Sequence, residues 1–336
     1  MTGYERIMSA IDRKPVDHIP VFPLAMTFAA RYAHVSYKDY CRSPKVMVDA
    51  QIAMARDLGF DAVHPTCDAA REAETLGAEV LYPEDDVPSP VAPLITCDAD
   101  LARLSMPDLR GQNRMRDQID TIRLLKERAG GELAVFGWVE APFQLAAILS
   151  GVNDFMMKIV MEPDHARKVI EFCAELSTQF GLAQVEAGAD VIGVGDAVAS
   201  LISRDHYLEF SLPYAAAVIK KLKERGVRVK YHICGDSNRL LDLLPRTGAD
   251  IVNLDSHVDL AVAKAAIGDR VCIKGNLAPV LLLNGTEEEV AGAVRKCISA
   301  VGDARGYIFS PGCEVPRDTP VQNVRAMVAA TGRRLA

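Results

Sequence analysis

Short runs rich in Val, Ile, Leu and aromatic residues recur along the chain, each closed by Gly, Pro or a polar break and followed by a segment with helical periodicity. They predict strands at Asp17–Phe22, Phe60–Pro65, Ala134–Val139, Asp190–Val194, Arg228–Ile233, Asp250–Leu254, Arg270–Lys274 and Tyr307–Ser310. Segments between them, such as MVDAQIAMARDLG, YAAAVIKKLKERG and EEEVAGAVRKCISAVG, place apolar residues on one helical face and end on Gly, the favoured residue after a helix. Strands alternating with helices imply parallel pairing, and eight such units close a barrel. The expected fold is therefore an α/β (β/α)₈ TIM barrel. A doubly wound open sheet is the alternative, but no GxGxxG follows the first strand.

Barrel active sites are assembled from the C-terminal strand ends and the loops after them. In strand order those positions carry Asp68, Glu140, Asp196, His232 with Cys234, Asp255, Asn276 and Cys313, a set of polar and metal-capable groups on one rim. The longest connection, from about Arg71 to Glu132, is rich in Pro and charge and reads as an excursion over the mouth. A similar elaboration follows the first strand. With no linker and no fixed-period repeat beyond the β/α unit, residues 1–336 are expected to form one domain.

Composition narrows the function. A formal net charge of -7 and a pI near 5.6 argue against nucleic-acid or anionic-membrane partners, which need clustered Lys and Arg. The N-terminal stretch shows neither a signal-peptide core nor a spanning run, so a cytoplasmic protein is expected. Eight cysteines over 336 residues are too sparse for a disulfide scaffold.

Three of those cysteine and histidine positions point to chemistry. In Y-H-I-C-G, residues i and i+2 of an extended segment face the same way, so one metal ion can see both His232 and Cys234. Imidazole with thiolate favours zinc over magnesium or calcium. Cys313, in S-P-G-C-E-V-P after the last strand, is placed to reach across the mouth as a third ligand. Three protein ligands leave one position open, the mark of a catalytic zinc. The bland alternative is a hydrogen-bonded rim histidine with two buried thiols nearby. The other six cysteines, Cys41, Cys67, Cys97, Cys173, Cys272 and Cys297, are assigned no chemistry. Two thiolates blunt zinc's acidity, so such a site is suited less to making hydroxide than to holding an incoming thiol as thiolate. Asp255 is the first candidate to fill the open position or orient His232, with Glu140 and Asp196 behind it.

The motifs H-I-C-G-D, K-G-N-L-A-P and S-P-G-C-E-V-P-R-D-T-P-V-Q-N-V resemble the uroporphyrinogen decarboxylase superfamily, and within it the methylcobamide:coenzyme M methyltransferase branch. The likeness extends from E-R-I-M-S-A-I-D-R-K-P-V-D-H-I-P to the last helix. It implies zinc on His232, Cys234 and Cys313, and a methyl group moved between the cobalt of a corrinoid (cobalamin), carried by a partner protein, and a substrate heteroatom. Either a thiol such as coenzyme M is methylated or an O-, N- or S-methyl donor is demethylated. Met26, Trp138 and Asn276 are the candidates to border the corrinoid, with Phe28 and Phe143 beside them. Metal-free uroporphyrinogen decarboxylation is the rival reading. It fits poorly with V-F-P-L-A-M-T-F-A-A-R-Y, where Arg31 is the one cation to meet a polycarboxylate, with Ile148 near the expected tyrosine position, and with Cys313 in place of a late histidine. Asp68 matches the decarboxylase's aspartate, so that element is common to both readings. A tetrapyrrole binder without catalysis is a third.

Overall fold

The computed structural model describes residues 1–333. Its strands are β1 (Ala62–Val63), β2 (Val80–Leu81), β3 (Ser89–Pro90), β4 (Ala134–Glu140), β5 (Val191–Gly195), β6 (Arg228–Ile233), β7 (Ile251–Leu254), β8 (Cys272–Leu277) and β9 (Tyr307–Pro311). Seven pair in parallel in the order β1-β4-β5-β6-β7-β8-β9, while β2 and β3 form a separate antiparallel ribbon within the Arg71–Glu132 excursion.

The gap between β9 and β1 is closed by Pro20–Leu24. Phe22 N donates to Phe309 O at 3.0 Å, Phe309 N to Pro20 O at 2.8 Å, and Asp61 N to Val21 O at 2.9 Å. This eighth stave makes only isolated bridges, at Val21 and Leu24, not the strand expected over Asp17–Phe22. Pro20 and Pro23 remove two of its donors, and a ladder needs them. Asp17 lies outside the barrel wall and instead holds the Arg6 guanidinium, Nε to Oδ1 at 2.7 Å. The second strand is likewise shorter than Phe60–Pro65, and β8 runs later than Arg270–Lys274; β6 matches its expected bounds.

Helices follow their local signals. Pro44–Leu58 starts from a Ser43 cap with Pro44 in the first turn and stops at Gly59, whose φ of 77° a residue with a Cβ rarely adopts. Glu287–Val301 opens with a Thr286/Glu289 capping box. Helix Gly3–Ile11 lays Ile7 and Ala10 on Phe22, Phe136, Ile251 and Ile308, sealing the N-terminal end of the barrel with an apolar plug. The opposite end is the one where barrel active sites are assembled. There β4 leads into two short helices, Pro142–Ser150 and Val152–Met161, before the barrel helix Pro163–Glu186. No single helix among the described residues is long and apolar enough to cross a membrane.

A candidate metal centre at the barrel mouth

β6 ends by turning His232 and Cys234 to the same side, as strand alternation requires. Cys313 arrives from the loop after β9. His232 Nε2 lies 3.0 Å from Cys234 Sγ, and Cys234 Sγ lies 3.4 Å from Cys313 Sγ. One donor atom from each of the three residues falls within 4.8 Å of the others. Bonds of about 2.3 Å to sulfur and 2.0–2.1 Å to nitrogen put the edges of a zinc tetrahedron at about 3.5–3.8 Å, so the donor set fits that ion with small adjustments.

The surroundings orient the donors. His232 Nδ1 is 3.1 Å from the Asn253 carbonyl, which can only accept, so Nδ1 carries the proton and Nε2 turns its lone pair to the sulfurs. Gly312 lets the Cys313 loop lie on the β7 loop: a Cβ there would sit 2.3 Å from Ser256 N. Glu314 anchors the same loop to the start of the chain by accepting from Thr27 N at 2.8 Å and Thr27 Oγ1 at 2.7 Å. The two thiols are hydrogen-bonded to each other. Its hydrogen bond to Cys234 brings Cys313 down to about 4, while that same bond and burial push Cys234 well up. One thiolate beside one thiol is what a cation with two sulfur ligands would replace.

The other rim residues divide. Trp138 enters the lumen: its Nε1 donates to Glu140 Oε1 at 2.8 Å, and its ring centre is 6.5 Å from that of His232. It lies flat over β5 because Gly193 and Gly195 have no side chains; a Cβ on Gly195 would be 2.3 Å from Trp138 Cζ2. Glu140 is buried, and burial followed by repulsion from Glu72 raises its carboxyl well above the usual range. Glu72, missed in the sequence, is raised to about 7, chiefly by burial. Asp255 is buried and committed to its own turn, accepting from His257 N at 3.1 Å and facing His257 Nδ1 at 2.7 Å. It stands outside the three-donor group.

Several expectations need correction. Asp196 turns away from the mouth: it accepts from Ser211 Oγ at 2.5 Å and Tyr231 Oη at 2.7 Å, behind the strand face that carries His232. Asn276 gives its amide to the carbonyls of Asp255 and Val258, at 3.0 and 2.7 Å, so it braces the β7 loop rather than offering that amide to a corrinoid. Phe143 is fully buried against Phe155, and Phe28, also buried, borders a surface cavity with Arg31, Tyr32 and Pro320. Met26 caps helix Thr27–Tyr32 and packs partly exposed on the core.

Asp68 is not alone. Arg114 Nη2 reaches its Oδ2 at 2.6 Å, and Arg71 Nη2 lies 2.6 Å from Cys67 Sγ. The guanidinium groups of Arg114 and Arg71 overcome the effect of burial and hold Asp68 below its ordinary value. Arg31, by contrast, is exposed on Asp318. Cys41 and Cys67, set aside in the sequence, gather with Asp68 into a second group of three donors. Two guanidinium groups already neutralise that cluster, so it disfavours a further cation.

The family model described as uroporphyrinogen decarboxylase (URO-D) matches residues 2–334. A methylcobamide:CoM methyltransferase of Methanosarcina acetivorans is 30% identical over 98% of both chains. A uroporphyrinogen decarboxylase of Pelobacter propionicus is 28% identical over 98% of both. Among solved structures, a methyltransferase from Methanosarcina mazei superposes with a TM-score of 0.90 over 99% of this chain and 98% of its own, at 24% identity, a likeness of fold. With strand order, rim geometry and a match over nearly the whole length in agreement, the chain belongs to the uroporphyrinogen decarboxylase family.

Proposed function

We propose that this chain is a zinc-dependent methyltransferase that moves a methyl group between the cobalt of a corrinoid, delivered by a partner protein, and a substrate heteroatom. That heteroatom is a thiol such as coenzyme M as acceptor, or an O-, N- or S-methyl donor. The observation that carries this reading is the convergence of His232, Cys234 and Cys313 within 4.8 Å at the mouth. The 30% identical methylcobamide:CoM methyltransferase supports it. Zinc on these donors would leave a position for the substrate sulfur and hold it as thiolate.

The chain's own groups have separate tasks. Asn253 fixes the tautomer and direction of His232. Trp138 offers a flat wall beside the metal donors, pinned by Glu140. Glu140, whose carboxyl is raised by burial and then by repulsion from Glu72, is biased toward its uncharged form beside an already sulfur-rich centre. Asp68, engaged by Arg114, is a less available partner for pyrrole nitrogens than a decarboxylase needs.

The test combines metal analysis with a spectral assay. Purified protein should hold about one zinc per chain, which Cys313→Ala loses, and should demethylate methylcobalamin in the presence of a thiol. Full zinc retention in that variant, or uroporphyrinogen decarboxylation by chelated protein, overturns the proposal.

A further inference from the structure

At the end of the barrel opposite the metal donors, four cations line one cavity of about 380 Å³: Arg13, Lys223, Arg246 and Arg270. It lies beside the starts of β7 and β8, where Asp250 and Cys272 border it. Asp250 is the one carboxylate among the lining residues, and it already meets Lys223 Nζ at 2.9 Å and Arg228 Nη1 at 3.5 Å. Asp242, whose charge acts with that of Arg270, is held by both amino groups of Arg204 at 2.6 Å. Among the described residues, Arg13, Arg246 and Arg270 form no ion pair within 4.0 Å.

Arg13 is built into its place. It follows helix Gly3–Ile11 by two residues at φ 57°, a left-handed position usually taken by Gly or Asn. Its Nη1 donates to the Asp269 carbonyl, and its stem passes Gly306, where a Cβ would come 3.3 Å from Arg13 Cγ. Backbone conformations of this kind gather at ligand clamps. Four cations around one carboxylate leave an excess of about three positive charges, in a chain whose net charge is -7. Guanidinium groups present paired N–H donors to phosphoryl and carboxylate oxygens, and small-molecule sites occupy about 300–1,000 Å³. Two phosphoryl groups bring about three negative charges near neutral pH, one more than a dicarboxylate. We propose that this cavity binds a small molecule through a diphosphate group, with Arg13, Arg246 and Arg270 as its donors. The site is separate from His232, Cys234 and Cys313 and does not depend on the metal reading above.

The test titrates full-length protein calorimetrically with inorganic pyrophosphate, in about 0.15 M salt to screen diffuse attraction. One site per chain with a Kd below about 1 mM is expected, and succinate should bind at least about tenfold more weakly. Arg246 and Arg270 are exposed, and Arg246→Gln and Arg270→Gln should each weaken pyrophosphate about tenfold, as expected for the loss of a charge-assisted hydrogen bond. Lys45→Gln removes an exposed cation outside the cavity and should leave the affinity unchanged. Cys313→Ala should leave it unchanged as well, which separates this cavity from the metal donors, since pyrophosphate also chelates divalent ions. Absence of saturable binding, equal weakening by Lys45→Gln, equal affinity for succinate, or loss of binding in Cys313→Ala overturns the proposal.

Discussion

Cys234 Sγ stands 3.4 Å from Cys313 Sγ, although 79 residues separate them in the chain. That is too long for a disulfide, whose sulfurs are about 2.05 Å apart, and short enough for a hydrogen bond between the two. Metal uptake at neutral pH should therefore release about one proton from the pair, because one sulfur is already ionised. Calorimetric zinc titrations in two buffers of different ionisation enthalpy measure that number. Zinc affinity should also fall as the solution is acidified. Release of two protons at pH 7 would show that neither sulfur is ionised beforehand.

The single tryptophan makes the site optically readable. Gly195→Ala places a methyl group 2.3 Å from the present position of Trp138 Cζ2, so the indole must leave its seat over β5 and its bond to Glu140. An overpacked interior of this kind costs about 1–3 kcal/mol. Denaturant melts should register the loss, and the emission maximum should shift. An unchanged spectrum would place the indole elsewhere.

Removing Arg114 strands a buried carboxylate. Arg114→Met should destabilise by about 3–5 kcal/mol at neutral pH, with the double variant carrying Asp68→Asn less damaged than the single one. Because Asp68 is held below its ordinary value, its contribution is present above the usual aspartate pKa of about 3.9 and is lost as pH falls through the folded value. Urea midpoints of wild type and Arg114→Met should thus converge in acid. A constant gap down to pH 2 would refute the pairing.

Glu72 has the opposite sign. Its folded value, about 7, lies above the unfolded value of about 4.3, so its favourable contribution is complete below 4.3 and disappears as pH rises through 7. Glu72→Gln should accordingly gain on wild type between those values, by about 1 kcal/mol or more, and hold the gain above pH 7. Thermal melts across pH 4–9 measure it. A gain that is already present at pH 4 would instead implicate packing.

Much of this molecule is readable from local pattern. β6 and its H-I-C end were legible because alternation over a few residues decides which side chains share a face, and capped helices such as Glu287–Val301 announce their own starts. The closing stave was less so: Ile19-Pro20-Val21-Phe22-Pro23 has a strand's hydrophobicity, but two prolines deny it a ladder. Rim carboxylates misled for a related reason. Asp196 follows its strand as Glu140 does, yet Ser211 and Tyr231 draw it behind the sheet.

The sequence by itself determined the succession of strands and helices, the pair His232 and Cys234, and the candidacy of Cys313, since each depends on neighbours within a turn or strand. Only the tertiary structure decided which distant groups meet: Arg114 on Asp68, Cys41 with Cys67, Glu72 near Glu140, and Arg13 with Arg246 and Arg270 around one cavity. Those encounters follow from barrel closure and strand register, which bring together residues scores of positions apart. Charge and pKa are set by such encounters, because burial and a partner's field depend on position in space and not on position along the chain.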